Sequence, residues 1–170
     1  MAKAVIKTKP TKFGLNDLFI LKTKKAHTNK VRRHSVVIAG QVGAGRGMTV
    51  PNLIRSIKAG LPVRELDTLR DNLDLPMETL VPMIGISKAT LHRRKATGRL
   101  DMAESDRVVR FARLLERAAE VMESIEEGRR WLTSTQVGLG GAIPLEYAQT
   151  EVGAREVENL LGRIEYGVYS

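Results

Sequence analysis

Between Met77 and Arg99 the chain sets hydroxyl side chains beside cations: Ser87, Lys88, Thr90, Arg93, Arg94 and Lys95, with Arg99 close behind. These residue types suit a polyanion that also presents edges to be read. A guanidinium offers a forked donor to guanine, while Lys and Thr suit phosphate oxygens. Ser87 is placed to cap a helix and so to bring that helix's N-terminal amides toward a phosphate. The residues around it predict a helix-turn-helix. Leu80 and Ile84 face inward from a first helix over 77–84, Gly85 makes the turn, and Ile86 and Leu91 pin a second helix over 87–97. A basic, solvated helix in an ordinary bundle would show the same composition. Two residues depart from the usual pattern. Val81 stands where such units keep a small side chain, and Pro82 removes a backbone donor inside the first helix.

Covalent and metal chemistry find no comparable support. The chain has no cysteine, and its three histidines are dispersed, so neither thiolate chemistry nor a metal site is expected. No nucleophile stands in a pattern that pairs it with a base, and Glu126 and Glu127 fit a wet helix face. The glycines at 40, 43, 45 and 47 follow Val36-Val-Ile-Ala39 as a phosphate loop would follow a strand. A phosphate loop needs Lys and then Ser or Thr, but Arg46 and Gly47 stand there, and the dinucleotide spacing fails as well. That run reads as a linker. The expectation is a binding protein without cofactor or metal, not an enzyme.

Apolar periodicity supplies the elements that must hold the basic helix in place. Leu53, Ile54 and Ile57 predict a helix closing at Gly60, and Val63, Leu66, Leu69 and Leu73 predict a second. Asp101 and Glu104 have capping-box spacing and open a long helix with a stripe through Val108, Phe111, Leu115, Ala118, Met122 and Ile125. Further helical stretches follow at 126–132, after Pro144, and along Val157, Leu160, Leu161 and Ile164. Aromatics are scarce, which also favours helices over a sandwich or barrel. The fold class is therefore all-α.

Charge divides the chain unevenly. Residues 1–60 hold 13 basic and one acidic side chain, 61–110 hold nine and eight, and 111–170 hold six and ten. Three regions are expected: a basic, weakly ordered extension over 1–47, a helix-turn-helix and dimerisation domain over 48–110, and a helical domain over 111–170. No apolar run has the roughly 20 residues needed to span a bilayer, and the first residues lack the apolar stretch of a signal peptide. A cytoplasmic protein with no membrane partner is expected.

The C-terminal text carries its own signals. Trp131 is the sole tryptophan, and Leu139-Gly-Gly141 allows a close backbone approach. Either could serve the core or a partner, with core packing the first expectation for Trp131. The terminus Tyr166-Gly-Val-Tyr-Ser170 holds two of the three tyrosines beyond the last apolar stripe. Tyrosine is a favoured interface anchor, so this segment is expected to meet a partner unless it docks on its own domain.

From Gly60 onward the chain resembles Xre-type antitoxins with the Xre/MbcA/ParS toxin-binding domain. The residues that carry the likeness are Ile86-Ser-Lys-Ala-Thr-Leu-His-Arg-Arg-Lys95, Gly98-Arg-Leu100, Glu104-Ser-Asp-Arg107, Trp131-Leu132, Leu139-Gly-Gly-Ala-Ile-Pro-Leu145, Thr150-Glu-Val-Gly153 and Ile164–Ser170. The resemblance implies central helices that bind operator DNA and repress the operon. It also implies a C-terminal domain that binds a cognate RES-type toxin, through Trp131, Leu139, Pro144, Leu145, Tyr166, Gly167, Val168, Tyr169 and Ser170. RES toxins are similar to ADP-ribosyltransferases and degrade NAD, and the extreme C-terminus is thought to cover the toxin's active site. A homodimer is expected because one helix-turn-helix reads one half-site, and with toxin a higher-order complex. A helix-turn-helix regulator answering to another protein or ligand is the alternative.

Overall fold

The computed structural model describes residues 50–168. The basic extension with its glycine-rich run, and Tyr169 and Ser170 at the other end, lie outside the described residues. Within them the order is α1 (Val50–Ala59), α2 (Arg64–Leu73), α3 (Met77–Met83), α4 (Lys88–Thr97), α5 (Met102–Val121) and α6 (Ile125–Thr133). A 3-10 turn (Val137–Leu139), α7 (Pro144–Tyr147) and α8 (Glu151–Glu165) complete it. The described residues form no strand, only the isolated bridges Pro62–Arg99 and Gln136–Ala142, so the all-α expectation holds.

Local chemistry accounts for most helix ends. Ser87, Ser124 and Thr150 each accept a backbone N–H from the first turn of the helix that they precede. Asp101 and Glu104 form the predicted capping box at the start of α5. Pro144 occupies the first turn of α7, where its missing N–H costs nothing. Pro82 is exposed and lies one residue before the end of α3, where the turn closes through Ile84 N–H to Leu80 and Ile86 N–H to Val81. Val81 is buried and fills the core at this point.

The centre of the molecule is α5. Phe111, Leu114, Leu115, Ala118 and Val108 line its buried side, and α1, α2, α6 and α8 pack on it. One apolar cluster runs from Leu61 through Leu80 and Phe111 to Leu145 and Leu161. The division expected at residues 110 and 111 thus falls in the middle of a helix and of a shared core. At about 1.5–3 kcal/mol for each fully buried Leu or Phe side chain, this stripe outweighs any polar contact in the fold.

The link between α1 and α2 is pinned to the link between α4 and α5. Val63 N–H donates to Gly98 O at 3.1 Å, Leu100 N–H to Leu61 O at 2.8 Å, and Leu61 N–H to Ser105 Oγ at 2.8 Å. Arg99 Nη1 donates to the α1 terminal carbonyls of Gly60 at 2.7 Å and Ala59 at 3.1 Å. Arg129 Nε, from α6, reaches back to Asn72 O on α2.

One buried group runs against this economy. Glu65, in the first turn of α2, is fully buried, and neither carboxylate oxygen has a hydrogen-bond partner. Arg64 Nε stands 3.6 Å away, so desolvation dominates and raises the carboxyl pKa above its ordinary 4.5. On α5, Glu116 is pushed up to about 7, first by burial and then by the charge of Glu120, with Arg113 opposing. These two carboxyls therefore hold protons in the folded state at pH values where they have lost them unfolded, and their contribution to stability falls as pH rises toward and through 7. Replacing Glu65 with Met removes a buried carboxylate that lacks hydrogen-bond partners, at similar volume, and should stabilise by about 1–3 kcal/mol. Thermal unfolding of Glu65→Met should show a higher midpoint, with the gain larger at pH 8 than at pH 5. An unchanged midpoint at both values would mean that Glu65 is satisfied in the fold.

Candidate functional site

The helix-turn-helix forms from α3 and α4 as the spacing predicted. Leu80, Ile84 and Ile86 are buried, and Leu91 is half-buried against the same cluster. Gly85 takes φ +77°, which favours glycine, and a Cβ there would come within 2.8 Å of Arg107 Nη1. Arg107 belongs to α5 and donates to the Ile84 carbonyl at 3.0 Å, so α5 grips the turn itself.

Ser87 Oγ accepts the Thr90 N–H at 3.1 Å and donates to Thr90 Oγ1 at 2.9 Å. The amides of Lys88 and Ala89 then stand at the exposed N-terminus of α4, where amides and helix dipole together favour an anion. Lys88, Arg93 and Lys95 are exposed, and α4 contains no acidic residue. At about 100° per residue, Lys88, His92 and Lys95 fall within about 60° of one another, with Arg93 about 100° further round. Lys88, Arg93 and Lys95 thus form a cationic surface, with the small Ala89 and Ala96 lying between His92 and Arg93.

Arg94 does not join that surface, which corrects the expectation for it. Its Nε donates to Glu104 Oε2 at 2.8 Å and Oε1 at 3.1 Å, and its Nη2 to Asp101 Oδ2 at 2.7 Å. The side chain is 19% exposed, and hydrogen bonding to Glu104 first, then the charges of Glu104 and Asp101, raises its pKa further. Its Nε and Nη2 donors are engaged within the protein. Thr90 is half-buried and its hydroxyl is shared with Ser87.

The C-terminal half divides the other expected residues into two sets. Leu139, Pro144 and Leu145 are buried, Leu145 completely, so they shape the domain from inside and offer a partner no surface. Trp131 is half-buried against the core, and its carbonyl accepts Gln136 Nε2 at 2.9 Å, closing the loop before α7. Tyr166, Gly167 and Val168 lie on the outside, with Tyr166 78% and Val168 54% exposed.

That exposed segment leaves α8 in a defined direction. Val168 N–H donates to Arg163 O at 2.9 Å and Gly167 N–H to Ile164 O at 3.2 Å, with Gly167 at φ +66°. This is a Schellman closure, which satisfies the last carbonyls and aims the chain. Upstream, Val157 and Leu161 are fully buried. Charge reinforces the seam with α5: Arg110 lies 3.3 Å from Glu151, Arg113 lies 2.8 Å from Glu158, and Arg117 pairs with Glu165. Sequence periodicity located the apolar face of α8, but these arginine–glutamate pairs join residues about 40–50 positions apart and have no local signature.

Among the described residues no His, Asp or Glu cluster could hold a metal ion, and no helix is long and apolar enough to cross a membrane. Comparison with known families agrees with both halves of this geometry. Residues 53–113 match the antitoxin Xre-like helix-turn-helix domain, which runs from α1 into α5. Residues 117–167 match the antitoxin Xre/MbcA/ParS C-terminal toxin-binding domain, which runs from the end of α5 to the exposed tail. The chain is 34% identical over 121 residues to an antitoxin Xre of Yersinia enterocolitica, covering 69% of this chain and 81% of that protein. It is 30% identical over 122 residues to an antitoxin Xre of Photorhabdus laumondii, covering 71% and 82%. By these matches, together with a helix-turn-helix and a C-terminal helical domain joined through one helix, the chain belongs to the Xre antitoxin family.

Proposed function

We propose that this chain neutralises a RES-type, NAD-degrading toxin by direct contact, with the segment after α8 laid over the toxin's active site. In the same reading it represses its own operon as a homodimer in the cytoplasm, presenting α4 to the major groove, while the basic residues 1–47 add charge to the grip on DNA. The observation that carries the toxin arm is the exposed Tyr166 and Val168 beyond a helix anchored by the fully buried Val157 and Leu161. Exposed aromatic surface on a fixed base costs little ordering entropy when it docks, and a buried interface tyrosine can contribute ~2 kcal/mol or more. The DNA arm is supported by the capped, acid-free face of α4 with Lys88, Arg93 and Lys95. The family match supports both arms together.

Each arm has its own test. Replacing Lys88, Arg93 and Lys95 together with Ala should abolish gel-shift binding to duplex DNA from upstream of the gene, while toxin inhibition in vitro stays intact. Normal binding by the triple variant would remove α4 from the DNA surface. Ending the chain after Glu165 should leave helicity and DNA binding unchanged and eliminate toxin inhibition. Tyr169→Ala should give a milder defect. Inhibition that survives the truncation would place the toxin contact elsewhere, and loss of helicity would make the tail part of the core.

A further inference from the structure

Helix α4 is lightly anchored for a helix that must hold a fixed angle. None of its residues is fully buried, and only Thr90, Leu91 and Arg94 are half-buried. A single leucine does not fix a helix against rotation, so the polar contact at Arg94 carries weight. That contact is a knot of three side chains, Arg94, Asp101 and Glu104. Glu104 Oε2 accepts both the Asp101 N–H and Arg94 Nε, each at 2.8 Å. Asp101 Oδ1 accepts the Glu104 N–H at 2.8 Å, while its Oδ2 accepts Arg94 Nη2 at 2.7 Å. The two carboxylates that cap the N-terminus of α5 therefore also grip the last turns of α4. Burial makes the grip stiff: the Glu104 side chain is 5% exposed. Arg107, one turn further along α5, holds the preceding turn through the Ile84 carbonyl.

We infer that Arg94 is a positioning residue for DNA reading, fixing α4 to the capping box of α5 instead of touching DNA itself. This deepens the DNA-binding reading above and rests on it. Arg94 also offsets part of the charge of two carboxylates that lie beside a surface meant for phosphates, and it leaves Lys88, Arg93 and Lys95 to face outward.

Two conservative variants separate positioning from simple charge. Gln is an accepted capping-box residue, so Glu104→Gln keeps the cap while deleting one negative charge and half of the bidentate acceptor. Electrostatics alone would make this variant bind DNA more tightly, whereas the knot requires it to bind more weakly. Arg94→Lys keeps the charge but loses the fork. The experiment uses the full chain, with duplex DNA from upstream of its gene titrated across a range of salt, and amide hydrogen exchange on α4 without DNA. Each variant should weaken binding about tenfold at every salt concentration, since groups in one network couple by that order. The slope of log K against log[salt] should not change, because a lost phosphate contact would make it shallower by ~0.9. The α4 amides should exchange faster in both variants. Tighter binding by Glu104→Gln, a shallower slope for Arg94→Lys, or unchanged exchange on α4 would each overturn the inference. If the unaltered chain ignores the duplex, the DNA-binding reading fails. The exchange on α4 then still decides whether Arg94 holds the helix.

Discussion

Phe111, Leu114, Leu115 and Ala118 lie buried along one side of α5, and helices from both halves of the chain close over them. Remove that contact and neither half retains a core. The front helices α1 and α2 have no sheet to lean on, and apart from α5 the helices α6 and α8 pack chiefly on the short α7, with the 3-10 turn also against α8. A chain with few aromatics must build its interior from many aliphatic contacts, and a 20-residue helix is long enough to serve two clusters at once. The two family domains meet on this helix, so the regions proposed to hold DNA and toxin are parts of one packed body.

Polar groups do a different job around that core. Arg94, Arg99, Arg107, Arg110, Arg113 and Arg117 lie along one stretch, and each reaches a carbonyl or carboxylate on another element. Exposed pairs such as Arg113–Glu158 are worth little individually, typically below ~1 kcal/mol. They choose the angle at which helices meet, whereas the apolar stripe determines that they meet. The same division separates the two surfaces. The cations of α4 that remain unspent face outward, and the tail leaves α8 through a closure that aims it.

Features governed by neighbours within a turn or two were legible before the fold was known. Ser87 as a cap, Asp101 and Glu104 as a capping box, Pro144 at a first turn and the α8 stripe all depend on residues three or four apart. The exposed tail was legible too, because it follows the last apolar position. Arg94, expected on the DNA surface, bonds Glu104 and Asp101 instead, because its contacts depend on how α4 and α5 meet across the turn at Gly98. The clue was present in its two carboxylate neighbours, seven and ten positions on. Leu139, Pro144 and Leu145 were placed on a partner surface through family likeness, whereas apolar type alone argued for the interior, where they lie. Glu65 gave no signal, since a charged residue in the first turn of a helix is ordinarily exposed.

If α5 makes one cooperative unit of the two halves, they must unfold together, and equilibrium unfolding tests this directly. Trp131 is the sole tryptophan and reports on the back half. The chain has no cysteine, so Ala96→Cys, on the exposed side of α4, accepts a single fluorophore that reports on the front half. Unfolding the labelled chain with urea while following both signals should give superimposable transitions, as coincident probes do for a two-state unit. Two separated midpoints, with the α4 signal lost while Trp131 remains native, would show that the halves fold independently and that α5 is only a tether.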